Sequence, residues 1–220
     1  MKLTVFAATG RVGHALVEQA LAAGHDVTAV VRDPGKLTPG VRAVTADLAK
    51  ADPAAMESAV AGADAVLSGL GPRSRSDAGI TAPGTRAIVE AMRTAAVRRL
   101  VVVSAAPVST TPSPGRPNPP RDPGEGIVMR TLLSPMIKAV LRAHYADLAR
   151  MEDLLRDSDL DWTAVRPPRL IDKPLTGEYR IAIEQNLRGG STISRADVAH
   201  AMLAVIDRPE TVRKAIGVAW

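Results

Sequence analysis

Two glycines three residues apart, Gly10 and Gly13, sit in Ala7-Ala8-Thr9-Gly10-Arg11-Val12-Gly13, where a β-branched apolar run gives way to helical spacing. That pattern suits one kind of chemistry, the holding of an anion. Gly10 can take backbone conformations that other residues avoid, and Gly13 allows a helix to pack closely on the preceding strand. The free N–H groups of the helix's first turn, helped by its dipole, would hold a pyrophosphate. Thr9, Gly10, Arg11, Val12 and Gly13 are the expected contacts. The plainer reading is a tight strand-to-helix turn. Ala7 stands where such loops usually place their first glycine. A methyl is tolerable there if the backbone stays in the ordinary β region, and it narrows the space under an adenosine.

Nineteen residues beyond Gly13, in "VVRDPGKL", comes Arg32. A carboxylate at this place binds a ribose 2′-hydroxyl, whereas an arginine accommodates a 2′-phosphate. Arg32, with Arg11 assisting from the loop, therefore points to NADP(H). Asp33 keeps the NAD reading open if the strand ends one residue later; its plainer role is to cap the Asp-Pro-Gly-Lys turn. Asp47 and Leu48 follow the third extended run, where an adenine edge would lie. Gly69, Leu70 and Gly71 follow the fourth, where small residues let a dinucleotide cross the sheet edge.

The elements that must position these residues alternate. Strand-like runs occur at 2–7, 26–31, 41–46, 64–70, 99–105, 161–166 and 178–183. Helical spacing occupies Val12–Ala23, Pro53–Val60, 81–97, Pro135–Asp157 and 193–207, the last capped by Ser194 with Asp197 three residues on. Alternation of this kind implies a parallel sheet covered on both faces, a doubly wound α/β fold of Rossmann type. A small C-terminal extension would lie on the substrate side, and residues 1–220 read as one domain. The stretch 107–124 holds seven of the 17 prolines. It can neither join a sheet nor continue a helix. A lid and a mobile insertion without a role both fit it.

Composition narrows the class. Hydrophobic residues make up 46% of the 220 and charged ones 23%, as in a globular protein, and no apolar run approaches the ~20 residues of a membrane helix. The opening "MKLTVFAATG" enters a strand at once, without signal-peptide architecture, and cysteine is absent. Disulfides and thiolate metal sites are thereby excluded, and a cytoplasmic location is expected. The net charge of +5 comes with only 2% aromatics and scattered basic residues, which argues against a nucleic-acid platform. The expected partner is a small-molecule acceptor, with no nucleic acid, no membrane and no metal, the chain acting as a monomer or homodimer.

The segments "ATGRVG" (8–13), "VVRDPGKL" (30–37), "AVLSGLGPR" (65–73), "VVVSAAP" (101–107), "MEDLLRDSDLDWTAVRPPRL" (151–170) and "ISRADVAHAML" (193–203) cover nearly the whole chain. Together they resemble the atypical branch of the short-chain dehydrogenase/reductases. That branch includes the biliverdin reductase B/flavin reductase group and the NmrA-like proteins. The resemblance implies that Ser104, the strand-end serine, faces the nicotinamide and donates to a substrate oxygen, although a serine may simply end a strand. It implies that Arg166-Pro167-Pro168-Arg169 passes beside the same ring, with Pro167 in contact and Arg166 either there or anchoring the sheet edge by an ion pair.

The best-known members of that superfamily use a tyrosine and a lysine four residues later. Here Tyr145 is followed at that spacing by Ala149, and Tyr179 by Ile183. Registering from Glu152 puts His144 in the tyrosine slot and Leu148 in the lysine slot. His144 could deliver a proton near neutral pH, or be a bystander. The resemblance thus leads to two functions. One is an NADPH-dependent reductase of a planar acceptor such as a flavin or quinone, with Ser104 and His144 as its candidate catalytic residues. The other is a non-catalytic NADP(H)-binding sensor. A sugar-nucleotide epimerase fits less well, since those relatives are longer and keep the dyad.

Overall fold

The computed structural model describes residues 1–37, 40–48, 52–71, 79–124 and 141–220. Six parallel strands form its centre: β1 (Lys2–Phe6), β2 (Asp26–Val31), β3 (Arg42–Thr45), β4 (Ala65–Ser68), β5 (Arg99–Val103) and β6 (Asp161–Arg166). They lie in the order β3-β2-β1-β4-β5-β6. β10 (Lys214–Ala219) extends the sheet in parallel beside β6, and β8 (Arg180–Ile183) closes it antiparallel to β10. β7 (Arg169–Ile171) and β9 (Thr192–Ser194) pair separately.

Among the described residues five helices cover the sheet: α1 (Arg11–Ala22), α2 (Pro53–Val60), α3 (Thr81–Thr94), α4 (Arg142–Asp157) and α5 (Arg195–Ala204). α1 and α5 bury Leu16, Val17, Val198 and Met202 against one face. α2, α3 and α4 bury Met56, Ile88, Met92, Met151 and Leu155 against the other. β1, β2, β4, β5, β6 and β10 are largely buried on both faces, which is why their sequences read as apolar runs rather than alternating ones, whereas β3 and β8 at the two edges stay largely open.

The expected doubly wound architecture is present, with corrections at its margins. The C-terminal strand β10 escapes sequence reading because "KAIGVA" is a short apolar run with an internal glycine, ambiguous by periodicity. β7 and β9, three residues each, are too short to carry a pattern. The portion of the expected Pro135–Asp157 helix before residue 141 lies outside the described residues.

The proline stretch folds back as an ordered strap. A short 3-10 turn at Ala106–Thr110 opens it, and an isolated bridge joins Ser113 to Arg116. Asp153 of α4 accepts from Ser113 Oγ at 2.9 Å and from the Gly115 N–H at 3.0 Å. Asp122 accepts from the N–H groups of Gly124 at 2.9 Å and Asn186 at 3.0 Å. These bonds replace the ladder that prolines cannot make.

Candidate functional site

The register sets the row Phe6, Val30, Val44, Ser68, Val102 and Ala164 level across the six parallel strands. Within three residues beyond that row stand Thr9, Arg32, Asp47, Gly69, Leu70, Gly71, Ser104 and Pro167. All therefore gather at the carboxyl edge. The strand order reverses between β1 and β4, and it is there that open α/β sheets leave a ligand crevice.

At that reversal the glycine loop is built by close approach. Gly10 caps α1 and its N–H donates to the Ala7 carbonyl at 2.8 Å. A Cβ on Gly13 would stand 2.2 Å from that same carbonyl oxygen, so the helix start rests directly on the turn. Gly69 completes the contact from β4, since a Cβ there would lie 2.9 Å from the Gly13 backbone nitrogen. The spacing of Gly10 and Gly13 was legible in the sequence; the apposition of Gly69 to Gly13 was not, because it joins residues 56 apart. Gly71, where an added Cβ would meet nothing within 4 Å, lines the crevice instead.

Ala7 departs from expectation. Its φ is +55°, the left-handed region rather than the β region. The tight return of the chain from β1 into α1 imposes this conformation, which costs an L-residue roughly 1–2 kcal/mol. A glycine would adopt it freely.

The crevice itself, about 510 Å³, is lined by Ala7, Thr9, Arg32, Asp47, Leu48, Leu70 and Gly71, with Val30, Val31, Ala46 and Ile80. Its floor is apolar: Leu48 and Leu70 are buried in the core below. Arg32 is exposed at the rim. Asp33 is engaged in the turn that follows, accepting from the Gly35 N–H at 3.1 Å and pairing with Lys36 at 3.4 Å. Arg11 points elsewhere: its guanidinium pairs with Asp172 at 3.4 Å, beside Arg195. Val12 turns its side chain into the core, so only its backbone faces the loop.

The other half of the edge is a buried polar cluster. Ser104, 6% exposed, donates its hydroxyl to Glu152 Oε1 at 2.8 Å. Arg166 donates to the same oxygen from Nε at 2.9 Å and to Oε2 from Nη2. Arg156 reaches Oε2 from the surface at 3.4 Å. Arg166 thus forms an ion pair, within the sheet interior rather than at its edge, tying β6 to α4. Pro167 follows in the bend, its carbonyl accepting from the Ala106 N–H at 2.8 Å. Glu152 is the residue that sequence reasoning used only as a register mark; nothing local reveals that it joins Ser104 to Arg166.

α4 places the remaining candidates away from this cluster. His144 precedes Glu152 by eight residues, roughly 12 Å along a helix. Its Nδ1 is buried without a hydrogen-bond partner among the described residues. Burial holds its pKa below the ordinary imidazole value, against an opposing pull from Asp147. Tyr145 and Leu148 belong to the core, and burial pushes the Tyr145 phenol upward. Asp147 was not anticipated: its buried carboxylate accepts from the N–H groups of Thr81 at 2.8 Å and Ala82 at 3.1 Å, capping α3 from a neighbouring helix. Among the described residues no group of histidines and carboxylates could hold a metal, and no helix is long and apolar enough to cross a membrane.

A doubly wound sheet with a glycine-lined helix start at its switch point defines a dinucleotide-binding α/β protein. The chain belongs to the NAD(P)H-binding family, whose model matches residues 7–209. It is similar to a solved protein of Burkholderia pseudomallei that bears the provisional name of exported protein, at 33% identity over the whole of both chains and TM-score 0.77. A Streptococcus pneumoniae protein with the provisional name NADH-flavin reductase is 26% identical, with TM-score 0.76 over 100% of this chain and 99% of that one. A short-chain dehydrogenase/reductase of Veillonella parvula, solved in complex with NADP, shares the fold at 20% identity and TM-score 0.78, over 100% of this chain and 94% of the other. A UPF0659 protein of Schizosaccharomyces pombe is 29% identical over 120 residues, 54% of this chain but only 45% of its own length.

Proposed function

We propose that the chain is an NADPH-dependent oxidoreductase that reduces a planar small-molecule acceptor, a flavin or a quinone, without a tyrosine–lysine dyad. The observation that carries the reading is the crevice at the β1/β4 reversal, where Arg32 stands on the rim above the Gly10–Gly13 loop. The packing of Gly13 directly on the Ala7 carbonyl brings the start of α1 against the turn, the close approach that a dinucleotide cradle requires. The N–H groups opening α1 would hold the pyrophosphate, Arg32 the 2′-phosphate, and Asp47 and Leu48 the adenine edge. With Asp33 drawn into its own turn, Arg32 is the charge that favours NADP(H) over NAD(H). The flavin reductase name of the Streptococcus relative and the NADP in the Veillonella structure agree with this reading.

When bound, the reduced dinucleotide supplies a hydride. Reduction of a flavin or quinone depends on stacking and proximity more than on a dedicated acid, because solvent can protonate the product. The residues at hand suit that demand. Tyr145 is packed in the core, Ala149 stands where a lysine would, and the Ser104 proton is held by Glu152. Ser104 and Pro167 would form the wall behind the acceptor, positioned by Glu152 and Arg166. The sheet runs from residue 2 to 219, which supports reading the chain as one domain. Absence of cysteine supports a cytoplasmic setting, and the chain is taken to act as a monomer or homodimer.

The engaged state of Ser104 also suits a sensor that binds NADP(H) without turnover. A screen of NADPH oxidation over flavins, quinones and tetrapyrroles, run beside NADPH calorimetry, separates the two. Turnover with one acceptor, retained within about tenfold in Tyr145→Phe, supports the reductase. Tight binding with no turnover on any acceptor makes the chain a sensor. Collapse of turnover in Tyr145→Phe with affinity intact would return the site to ordinary carbonyl reduction.

A further inference from the structure

Beneath the strap lies a second chamber, about 630 Å³, on the α4 side of the sheet. Five arginines line it: Arg116 and Arg121 from the strap, Arg156 from α4, Arg166 from β6 and Arg213 just before β10. Their charges are unevenly matched within the protein. Arg166 is answered by Glu152, and Arg156 by Asp153 at 2.7 Å. Among the described residues the Arg213 guanidinium donates only to a neutral carbonyl, that of Ser158, at 3.0 Å. Arg116 makes no side-chain hydrogen bond or ion pair among the described residues, although it is half-buried.

The acidic groups of the wall do not redress this. Asp122 is spent on two backbone N–H groups, and Glu184 pairs with Lys214 at 2.9 Å. Guanidinium groups gathered from four chain segments around one volume repel each other unless an anion joins them. Arg116 registers this: burial first, then the charges of Arg166 and Arg156, hold its pKa below the ordinary arginine value, outweighing the opposite pull of Glu152 and Asp122. The wall holds one further unmet group. Trp162 is 4% exposed, and its indole Nε1–H has no acceptor among the described residues.

We propose that this chamber binds a phosphate-bearing small ligand, with Arg116 and Arg213 supplying the charge that the protein leaves unmatched. A planar guanidinium fork meets two phosphate oxygens at once, and a tetrahedral dianion can meet several forks arriving from different directions. A monocarboxylate presents a single charge in a single plane and matches fewer of them. The site is separate from the dinucleotide crevice and does not depend on the identity of the acceptor.

The chain reports on the chamber through its two tryptophans, Trp162 in the wall and Trp220, whose Nε1 donates to Asp197 at 3.0 Å. The full chain, labelled with nitrogen-15 and saturated with NADPH to occupy the crevice, is titrated with inorganic pyrophosphate. The indole signals are assigned with Trp220→Phe. The expected result is a saturable movement of the Trp162 signal while that of Trp220 stays still. Arg116→Ala and Arg213→Ala should each weaken the apparent affinity by about tenfold or more, the loss of one charged hydrogen bond. Arg116→Lys, which keeps the charge, should recover part of it. A Trp162 signal that does not move, or that moves in both alanine variants with the affinity of the unaltered protein and their amide spectra intact, overturns the site. NADPH binding is read from its own shifts, so failure of the cofactor assignment would be seen separately.

Discussion

Ser104 donates its hydroxyl proton to Glu152 across 48 residues of chain, at 2.8 Å and out of solvent. The bond fixes the end of β5 to the middle of α4, and Arg166 locks the same carboxylate from β6. Ser104 is therefore a positioning group whose proton already has a destination.

The two partners should differ sharply when removed. Ser104→Ala leaves Glu152 with both arginines and should cost about 1 kcal/mol of unfolding free energy. Glu152→Ala strands the buried Arg166 charge and should cost about 3–5 kcal/mol. Urea denaturation of the two variants checks this, and a larger loss from the serine would refute the arrangement.

Arg32→Ala should weaken NADPH about tenfold or more and leave NADH nearly unchanged, because the lost contact is one charged hydrogen bond to the 2′-phosphate. Calorimetry with both dinucleotides decides it. Equal weakening of both would mean that Arg32 serves the fold or the adenine rather than the phosphate.

Ala7 and Gly13 invite opposite exchanges. Ala7→Gly relieves a left-handed alanine but loosens the unfolded chain, so stability should hold or rise by up to about 1 kcal/mol. Gly13→Ala would drive a methyl into the Ala7 carbonyl, a backbone atom that cannot yield cheaply. It should lower the melting temperature and abolish the further rise that NADPH produces. A Gly13→Ala protein with wild-type stability and a wild-type NADPH shift would rule out the close approach as the basis of the cradle.

Asp197 gives stability an acid limb. Burial pushes its carboxyl pKa up, but Ser194 Oγ, the N–H groups of Gly177 and Thr176, and the Trp220 indole outweigh that and hold it below the ordinary value. A carboxylate with a lowered folded pKa stabilises above its unfolded pKa of about 3.9, and the contribution fades as pH falls towards the folded value. Asp197→Asn should lower stability at neutral pH and flatten the decline between about pH 5 and 3. Thermal melts across that window test it. An unchanged slope would assign the acid limb to other carboxylates.

The sequence by itself determined the alternation of strands and helices, the glycine loop after β1 and the Ser194–Asp197 capping box of α5. Each is decided within a few residues by backbone freedom, apolar periodicity or a local side-chain bond. Parallel strands with right-handed crossovers then bring every strand-end residue to one edge. This is why the gathering of Thr9, Arg32, Asp47, Leu48, Leu70 and Gly71 around one crevice could be expected without coordinates. Only the tertiary structure decided the contacts between distant segments. The packing of Gly69 on Gly13, the positive φ of Ala7, the Ser104–Glu152–Arg166 cluster and the arginine-lined chamber all depend on how elements meet in space. Arg11 shows the same limit, since its pairing with Asp172, 161 residues away, draws it from the crevice that its neighbours line. Hydrogen bonds and ion pairs act over about 3–4 Å of space whatever the separation in chain. A residue's type and its neighbours in sequence therefore reveal what it can bind, while the partner it meets is set by the fold.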